Sequence, residues 1–416
     1  MAATSLACLS GCGNTYRPVV SAVNPVGPAS QPQKFAVAVS SPSPTSPGLV
    51  TLVDFSGDTV LITANLGVAP YYLNLSAAGT TGYTLNGDGT VTSFDISTSL
   101  QTKDVQQTTL LAGANPVSVF PQGGSTYITE AGRSAVAQLQ GTPPALKQEL
   151  PVGPGAIYTV GIQSAPRAYA ISQGSGGGNG EVAAIETTSN TISSTLPVGK
   201  APVYGVMTAD GKRVFIMNQA DGTVTVINSQ TNQLDIPPKG STNPIVVGTS
   251  PLWADFAPTR SELIVSNAGD GTKNGSVSII NIPLCSVNSL PTNPNCDPTN
   301  PVDANGFGQV LATVPVGVNP RMVAVLQDGS RAYVVNQADS TVSVINLSTN
   351  TVSSVIPVPL SVHPTFIAAT TGTPTGKVYV TSPESNNMTV IRTDTDIVQT
   401  TIPLQGKGVM VRVTLP

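Results

Sequence analysis

Hydrophobic and polar residues alternate along this chain in short bursts separated by Gly, Pro, Asn and Asp, and no stretch keeps a helical period. The clearest burst is TVSVIN at 341–346, an alternating pattern rich in β-branched residues that predicts a half-buried strand. Close copies are TVTVIN at 223–228 and SVSIIN at 276–281. Looser ones are LVTLVD at 49–54, TVTSFD at 90–95, AVAQLQ at 135–140, EVAAIE at 181–186 and NMTVIR at 387–392. The eight copies start 41, 45, 46, 42, 53, 65 and 46 residues apart, and the one large gap contains an insertion near 284–309.

Each copy has the same neighbours. A strand precedes it (GYTLN at 82–86, RVFIMN at 213–218, RAYVVN at 331–336, VYVTS at 378–382), joined to it by polar turns such as NQADG at 218–222. A third strand follows and ends in Pro-Val-Gly, as in LPVGK at 196–200 and VPVGV at 314–318. A fourth strand comes next, as in APVYGVMT at 201–208 and PRMVAVLQ at 320–327, closed by Asp210-Gly211 or Asp328-Gly329. Four antiparallel strands in about 45 residues cannot cover both faces of their own sheet, but repeated radially each sheet packs between two others. The expected fold is therefore all-β, a β-propeller of four-stranded antiparallel blades. Residues 34–40 (KFAVAVS) read as a second strand lacking its inner partner, and 408–416 (GVMVRVTLP) as an inner strand lacking a blade. Joining the C-terminal strand to the first blade closes the ring at eight blades. Seven is the alternative if the weak copy around 126–140 or the first copy is irregular.

Composition narrows the function. Among 416 residues, 18 are Lys or Arg and 22 Asp or Glu, a net charge of −4. A nucleic-acid partner is not expected, because phosphate binding needs clustered basic residues. With 40% hydrophobic residues and little charge the chain is not a disordered one. The single histidine, His363, excludes triads and metal sites that need several imidazoles, and no CxxCH haem attachment motif is present. No cofactor is expected.

The succession Y-V-x-N, hairpin turn, T-V-S-V-I-N, P-V-G, x-P resembles the YVTN family of bacterial β-propellers. The match is best over Val314–Pro357, with Tyr333-Val-Val-Asn336 and Thr341-Val-Ser-Val-Ile-Asn346, and weaker copies extend it over 34–416. That resemblance implies a secreted or cell-surface propeller. Relatives of such propellers include lactonase-like enzymes and binding proteins, so it says little about chemistry.

Leu9-Ser10-Gly11-Cys12 looks like a bacterial lipobox, in which Cys12 receives the lipid and becomes the new N-terminus. The basic region and longer apolar core of a signal peptide are missing before it, and the expectation is that the true start lies upstream of Met1. The expected organisation is a truncated lipoprotein signal at 1–12, a Pro/Ser-rich tether at 13–33 and one propeller domain at 34–416 with its insertion at about 284–309. No run approaches the roughly 20 apolar residues of a spanning helix, so membrane contact is expected through the lipid alone. Cys285 and Cys296, both in the insertion, suit an exported protein as a disulfide. Such a bridge closes a loop of about ten residues and is worth roughly 2–3 kcal/mol.

Local motifs with a chemical look are read as turns. Gly174–Gly180 lacks the Lys and helix of a phosphate loop. Asn267–Asn274 lacks the Glu that completes a calcium loop, and Asn86–Gly89 is a hairpin tip. His363 precedes Pro364 at an inner-strand entrance with no assigned nucleophile or carboxylate. One constellation stands out. Aligning the blades at that entrance puts Tyr72, Ser118, Tyr158, Tyr204, Trp253, Met322, Phe366 and Met410 in one position, five of them aromatic in a chain that is 5% aromatic. These residues are expected either to pack between blades or to form a stacking platform at the channel mouth, with Arg321 and His363 beside it. The favoured reading is a monomeric, lipid-anchored, non-catalytic binding or scaffold module for a protein or polysaccharide in the periplasm or at the cell surface. A lactonase-like hydrolase ranks second and a cofactor-carrying propeller third.

Overall fold

A computed structural model describes residues 35–235, 242–283, 306–370 and 376–414. These residues form eight antiparallel sheets arranged as the blades of a propeller. The eight-blade expectation holds, and the seven-blade alternative is set aside. The inner strands of blades 2 to 8 are Pro70–Leu75, Pro116–Gln122, Ala156–Val160, Pro202–Met207, Pro251–Ala257, Pro320–Val325 and Phe366–Ala369. Within each of these blades the strands follow one another outward in chain order. Blade 5 alone departs at its rim: Gln233–Leu234 and Ile245–Val246 both pair with Thr223–Asn228.

Blade 1 closes the ring. Its inner strand is the C-terminal Lys407–Val413, paired antiparallel with Phe35–Ser41 in a register that sets Ala38 opposite Val411. The junction is fastened by the Phe35 N–H donating to Thr414 Oγ1 at 2.8 Å and the Thr414 N–H donating to the Phe35 carbonyl at 3.0 Å.

Burial follows from this packing. The second and third strands of a blade lie between two neighbouring sheets, so Arg213–Asn218 and Thr223–Asn228 are buried at every position. The outer strands return to alternation, as in Thr351–Pro357, because one of their faces meets water. Hydrophobic clusters accordingly span adjacent blades. One of them joins Tyr333, Val335 and Val342 of blade 7 to Ile367, Val378 and Ile391 of blade 8.

The repeated signature residues act as latches between blades. The Tyr of Y-V-x-N donates to an Asn or Asp in the outer turn of the next blade: Tyr127 to Asn190 (2.5 Å), Tyr169 to Asn232 (3.2 Å), Tyr333 to Asp396 (2.5 Å) and Tyr379 to Asp58 (3.4 Å). All four acceptors sit in the left-handed backbone region (φ 53–55°), which Asn and Asp tolerate better than other residues bearing a side chain. The signature Asn closes its own hairpin and holds the preceding blade. Asn218 Nδ2 donates to Thr223 and Thr225 hydroxyls at 3.0 and 2.8 Å, and its Oδ1 accepts the Gly199 N–H at 3.1 Å. Asn336 repeats this with Thr341, Ser343 and Gly317. The glycine of Pro-Val-Gly is required by that approach, since a Cβ on Gly199 would lie 2.6 Å from Asn218 Cγ.

Candidate functional site

A register shift follows the entrance residue in six of the inner strands. Tyr72, Ser118, Tyr158, Tyr204 and Trp253 each pair with the residue just before the end of the second strand. The alignment made from sequence is thus one structural level, and its side chains meet across blades. Tyr158 and Tyr204 have ring centroids 4.9 Å apart, and Tyr204 stacks on Trp253 at 3.7 Å with an interplanar angle of 17°. The gap between Tyr72 and Tyr158 belongs to blade 3, where Ser118 bonds within its own blade and to the inner strand of blade 4. Its Oγ contacts Thr129 Oγ1 at 2.7 Å and accepts the Thr159 N–H at 3.1 Å. A small residue there lets the Tyr72 and Tyr158 phenols come within electrostatic reach of each other. Phe366 packs against the cores on both sides of blade 8.

Two residues further along the same strands lies a second level on the same face. Blade 1 supplies Arg412, whose guanidinium carbon sits 5.8 Å from the Trp253 ring centre. Trp253 therefore has Tyr204 against it and a cation over it, a favourable arrangement for an indole face. Blade 6 supplies Asp255, whose oxygens accept the Phe256 and Val325 N–H groups, each at 2.8 Å, tying blade 6 to blade 7. Blade 2 supplies Asn74, which reaches the Val119 carbonyl of blade 3 at 2.8 Å. At this level blades 7 and 8 carry only Ala324 and Ala368.

The electrostatics are those of a dehydrated, donor-rich centre. Burial raises the phenol of Tyr72 well above its ordinary range, with Tyr158 adding to the rise and Arg412 opposing it. Tyr158 and Tyr204 are raised for the same first reason. All three stay protonated at neutral pH and can donate. Burial also pushes the Asp255 carboxyl up to about 6, against the lowering effect of its two backbone donors and of Arg412. Tyr72 Oη and Arg412 Nε are buried and have no hydrogen-bond partner among the described residues. Where the inner strands of blades 5 to 8 end, a cavity of about 460 Å³ opens, with Thr208, Asp210, Asp255, Phe256, Gln327 and Thr370 in its wall.

The sequence-derived candidates divide. Tyr72, Tyr158, Tyr204 and Trp253 lie together and Phe366 flanks them. The stacking platform itself is altered, because the facing rings of Tyr204 and Trp253 cover each other and Arg412 lies over the indole. His363 has a partner of its own. It sits at positive φ (49°) in the loop before blade 8, with Nδ1 2.7 Å from an exposed Glu384 carboxylate. Arg321 is half-buried one residue before Met322, its ionisation lowered by burial, and makes no ion pair among the described residues. Cys12, Cys285, Cys296, the 1–12 signal, the 13–33 tether and most of the insertion lie outside the described residues. The three chemical-looking loops are hairpin tips. In one of them Asp270 accepts from the Thr272 and Lys273 N–H groups, and these bonds favour its ionised form and hold its pKa below the usual carboxylate value.

Arg412 and Asp255 were missed by the sequence reading because the inner strands look apolar. The signal was available one step further, two residues after Met410 and two after Trp253.

No protein-family model matches the chain, and no curated protein does. Solved structures share its fold at low identity. Dihydro-heme d1 dehydrogenase NirN superposes with a TM-score of 0.64 at 13% identity, over 92% of this chain and 75% of that one. AztD from Citrobacter koseri gives 0.60 at 14% identity, over 91% and 97%. A protein described as a putative 6-phosphogluconolactonase from Bacteroides fragilis gives 0.55 at 14%, over 93% and 99%. At these identities the likeness is one of fold.

Proposed function

We propose that this chain is a YVTN-type propeller, exported and lipid-anchored through Cys12, that acts as a non-catalytic binding module for a polysaccharide or protein of the cell envelope. The reading is carried by the axial cluster. Aromatic rings, three phenols and a guanidinium converge, Asp255 at the level of that guanidinium stands in the wall of a cavity, and two of the buried polar atoms complete no hydrogen bond, which is how a ligand seat differs from packing. The signature Asn218 and Asn336, by contrast, are occupied in holding blades together. The address rests on the lipobox and on the YVTN resemblance, and Cys285–Cys296 pairing belongs with it.

Two measurements test this. Expression in a bacterial host followed by mass spectrometry should find Cys12 acylated and N-terminal, and Cys12→Ala should move the protein from the membrane to the soluble fraction. An unmodified, uncleaved N-terminus would remove the anchor. For binding, Trp253 is the only tryptophan of the chain, so its emission reports the axis directly. Envelope oligosaccharides or peptides should change it saturably, and a flat response to all of them would remove the module reading.

A lactonase-like hydrolase is the second reading, favoured by one observation: Asp255, a carboxyl with its pKa lifted to about 6, in the wall of a cavity. Against it, both Asp255 oxygens already accept backbone N–H groups. Lactone hydrolysis abolished by Asp255→Asn would establish it.

A further inference from the structure

We propose that the axial seat takes a sugar acid, its carboxylate on Arg412 and Tyr72 and its hydroxyls toward Asp255 and the cavity behind it. This deepens the binding reading above and rests on it.

The argument starts from what is unmatched. Arg412 makes no ion pair among the described residues, and its Nε is buried without an acceptor. A guanidinium offers five N–H donors in a planar fork that fits a carboxylate. The indole over which it lies stabilises its charge but accepts no fork of hydrogen bonds. Tyr72 Oη, buried and close enough to Arg412 and Tyr158 to be perturbed by both without completing a hydrogen bond, adds a donor from blade 2, on the side of the ring adjoining blade 1. An anion beside them would meet both donors at once.

The other half of the ligand is set by acceptors. Asp255 stands at the same level as Arg412 on the opposite part of the ring and within its electrostatic influence. Each of its oxygens accepts one backbone N–H, which leaves one lone pair on each for a further donor. Beyond it the cavity of about 460 Å³ is lined by the hydrogen-bond acceptors Asp210 and Glu262 and the neutral polar Thr208, Gln327 and Thr370, beside apolar surface from Phe256 and Val325. The Thr208 hydroxyl donates to Asp210 at 2.6 Å and accepts the Arg213 N–H at 3.1 Å, which leaves it one lone pair for a ligand donor. A negative group at one end and several hydroxyl donors with an apolar ring face at the other describe a uronic or aldonic acid. The alanines at 324 and 368 leave space at this level that bulkier inner-strand residues would fill.

The test uses the full chain and the emission of Trp253. Glucuronate and galacturonate, free and as short oligomers, are titrated against glucose, succinate and glutamate, with wild type, Arg412→Gln, Arg412→Lys and Asp255→Asn in parallel. Melting curves keep loss of binding apart from loss of fold, and Arg412→Lys retains the charge if Arg412→Gln fails to fold. The expected result is saturable quenching by the sugar acids and at least ten-fold weaker binding of glucose. Arg412→Gln should weaken the acids at least ten-fold, Arg412→Lys less so, and Asp255→Asn several-fold. Equal response to glucose and glucuronate, or binding of acids untouched at Arg412, overturns the carboxylate assignment while leaving the binding module intact. Succinate or glutamate binding as well as glucuronate overturns the sugar assignment alone. Silence toward the acids with a response to another envelope glycan sinks this inference, and silence toward everything sinks the module with it.

Discussion

At the hairpins of blades 5 and 7, Asn218 and Asn336 are buried and engage every bond their amides can direct at the two blades they join. At the axis, Tyr72 Oη and Arg412 Nε are also buried and complete no hydrogen bond among the described residues, although Arg412 and Tyr158 lie close enough to perturb the phenol. Both regions are polar groups withdrawn from water, and both carry the cost of desolvation. Only the first recovers it within the fold. Orphaned atoms occur at latch positions too, where the repeat is irregular in its partners: the signature Asn267 of blade 6 leaves its Oδ1 without a donor, because the Gly248 N–H goes to Ser278 instead. Asn350 Oδ1 lacks a donor because blade 6 places Ile264 where other blades place Tyr. Glu130 stands where the signature Asn belongs, fully buried, with both oxygens unbonded and Arg133 3.8 Å away. The axial atoms correspond to no missing repeat partner.

The comparison is broken most strongly at the latches. Asn218→Ala should cost about 2–4 kcal/mol, because it strands the Thr223 and Thr225 hydroxyls and the Gly199 N–H together, and urea unfolding measures it. Glu130 gives a pH signature. Its carboxyl is pushed up to about 8, first by burial and then by Glu149. The native state thus holds this proton more tightly than the unfolded chain does. Stability from this group is complete below its ordinary value near 4.5 and declines as pH rises to about 8. Glu130→Gln should flatten that decline, making the variant the more stable protein at pH 8 and removing the advantage below pH 5. Melting temperatures across that range check the sign.

Smaller effects sharpen the same contrast. Tyr333→Phe removes one latch while Arg331 still holds Asp396 at 2.8 Å, so a loss of about 1 kcal/mol is expected. Ile264→Tyr should supply the donor that Asn350 lacks and gain up to about 1 kcal/mol. A loss instead would mean that the blade 6 interface has no room for the ring.

The repeat, the strand order and the closing pair were legible because each is written in periodic residues: alternation for the strands, Pro-Val-Gly for the crossings, and an unpaired strand at each end. The weak copy around 126–140 is weak for a local reason, Glu130 in place of Asn. The aromatic level was legible through Tyr72, Tyr158, Tyr204 and Trp253 because equivalent positions of a closed ring share a radius. Its content was not. Arg412 arrives from the last strand and meets Trp253 of blade 6 only through closure, and no spacing along the chain encodes that distance. His363 and Arg321 were grouped with the ring by closeness in sequence, and the partner His363 has in the fold, Glu384 of the blade 8 hairpin, is one that spacing along the chain does not give.

Unfolding of Arg412→Met in urea tests the division between latch and axis most directly. If the guanidinium is held at the axis for a ligand, the free protein should lose no more than about 0.5 kcal/mol, or gain stability, on exchanging an unpaired cation for an apolar side chain of similar length. A loss of about 3 kcal/mol or more, the scale of breaking an established buried ion pair, would make Arg412 one more latch and leave the channel without a site.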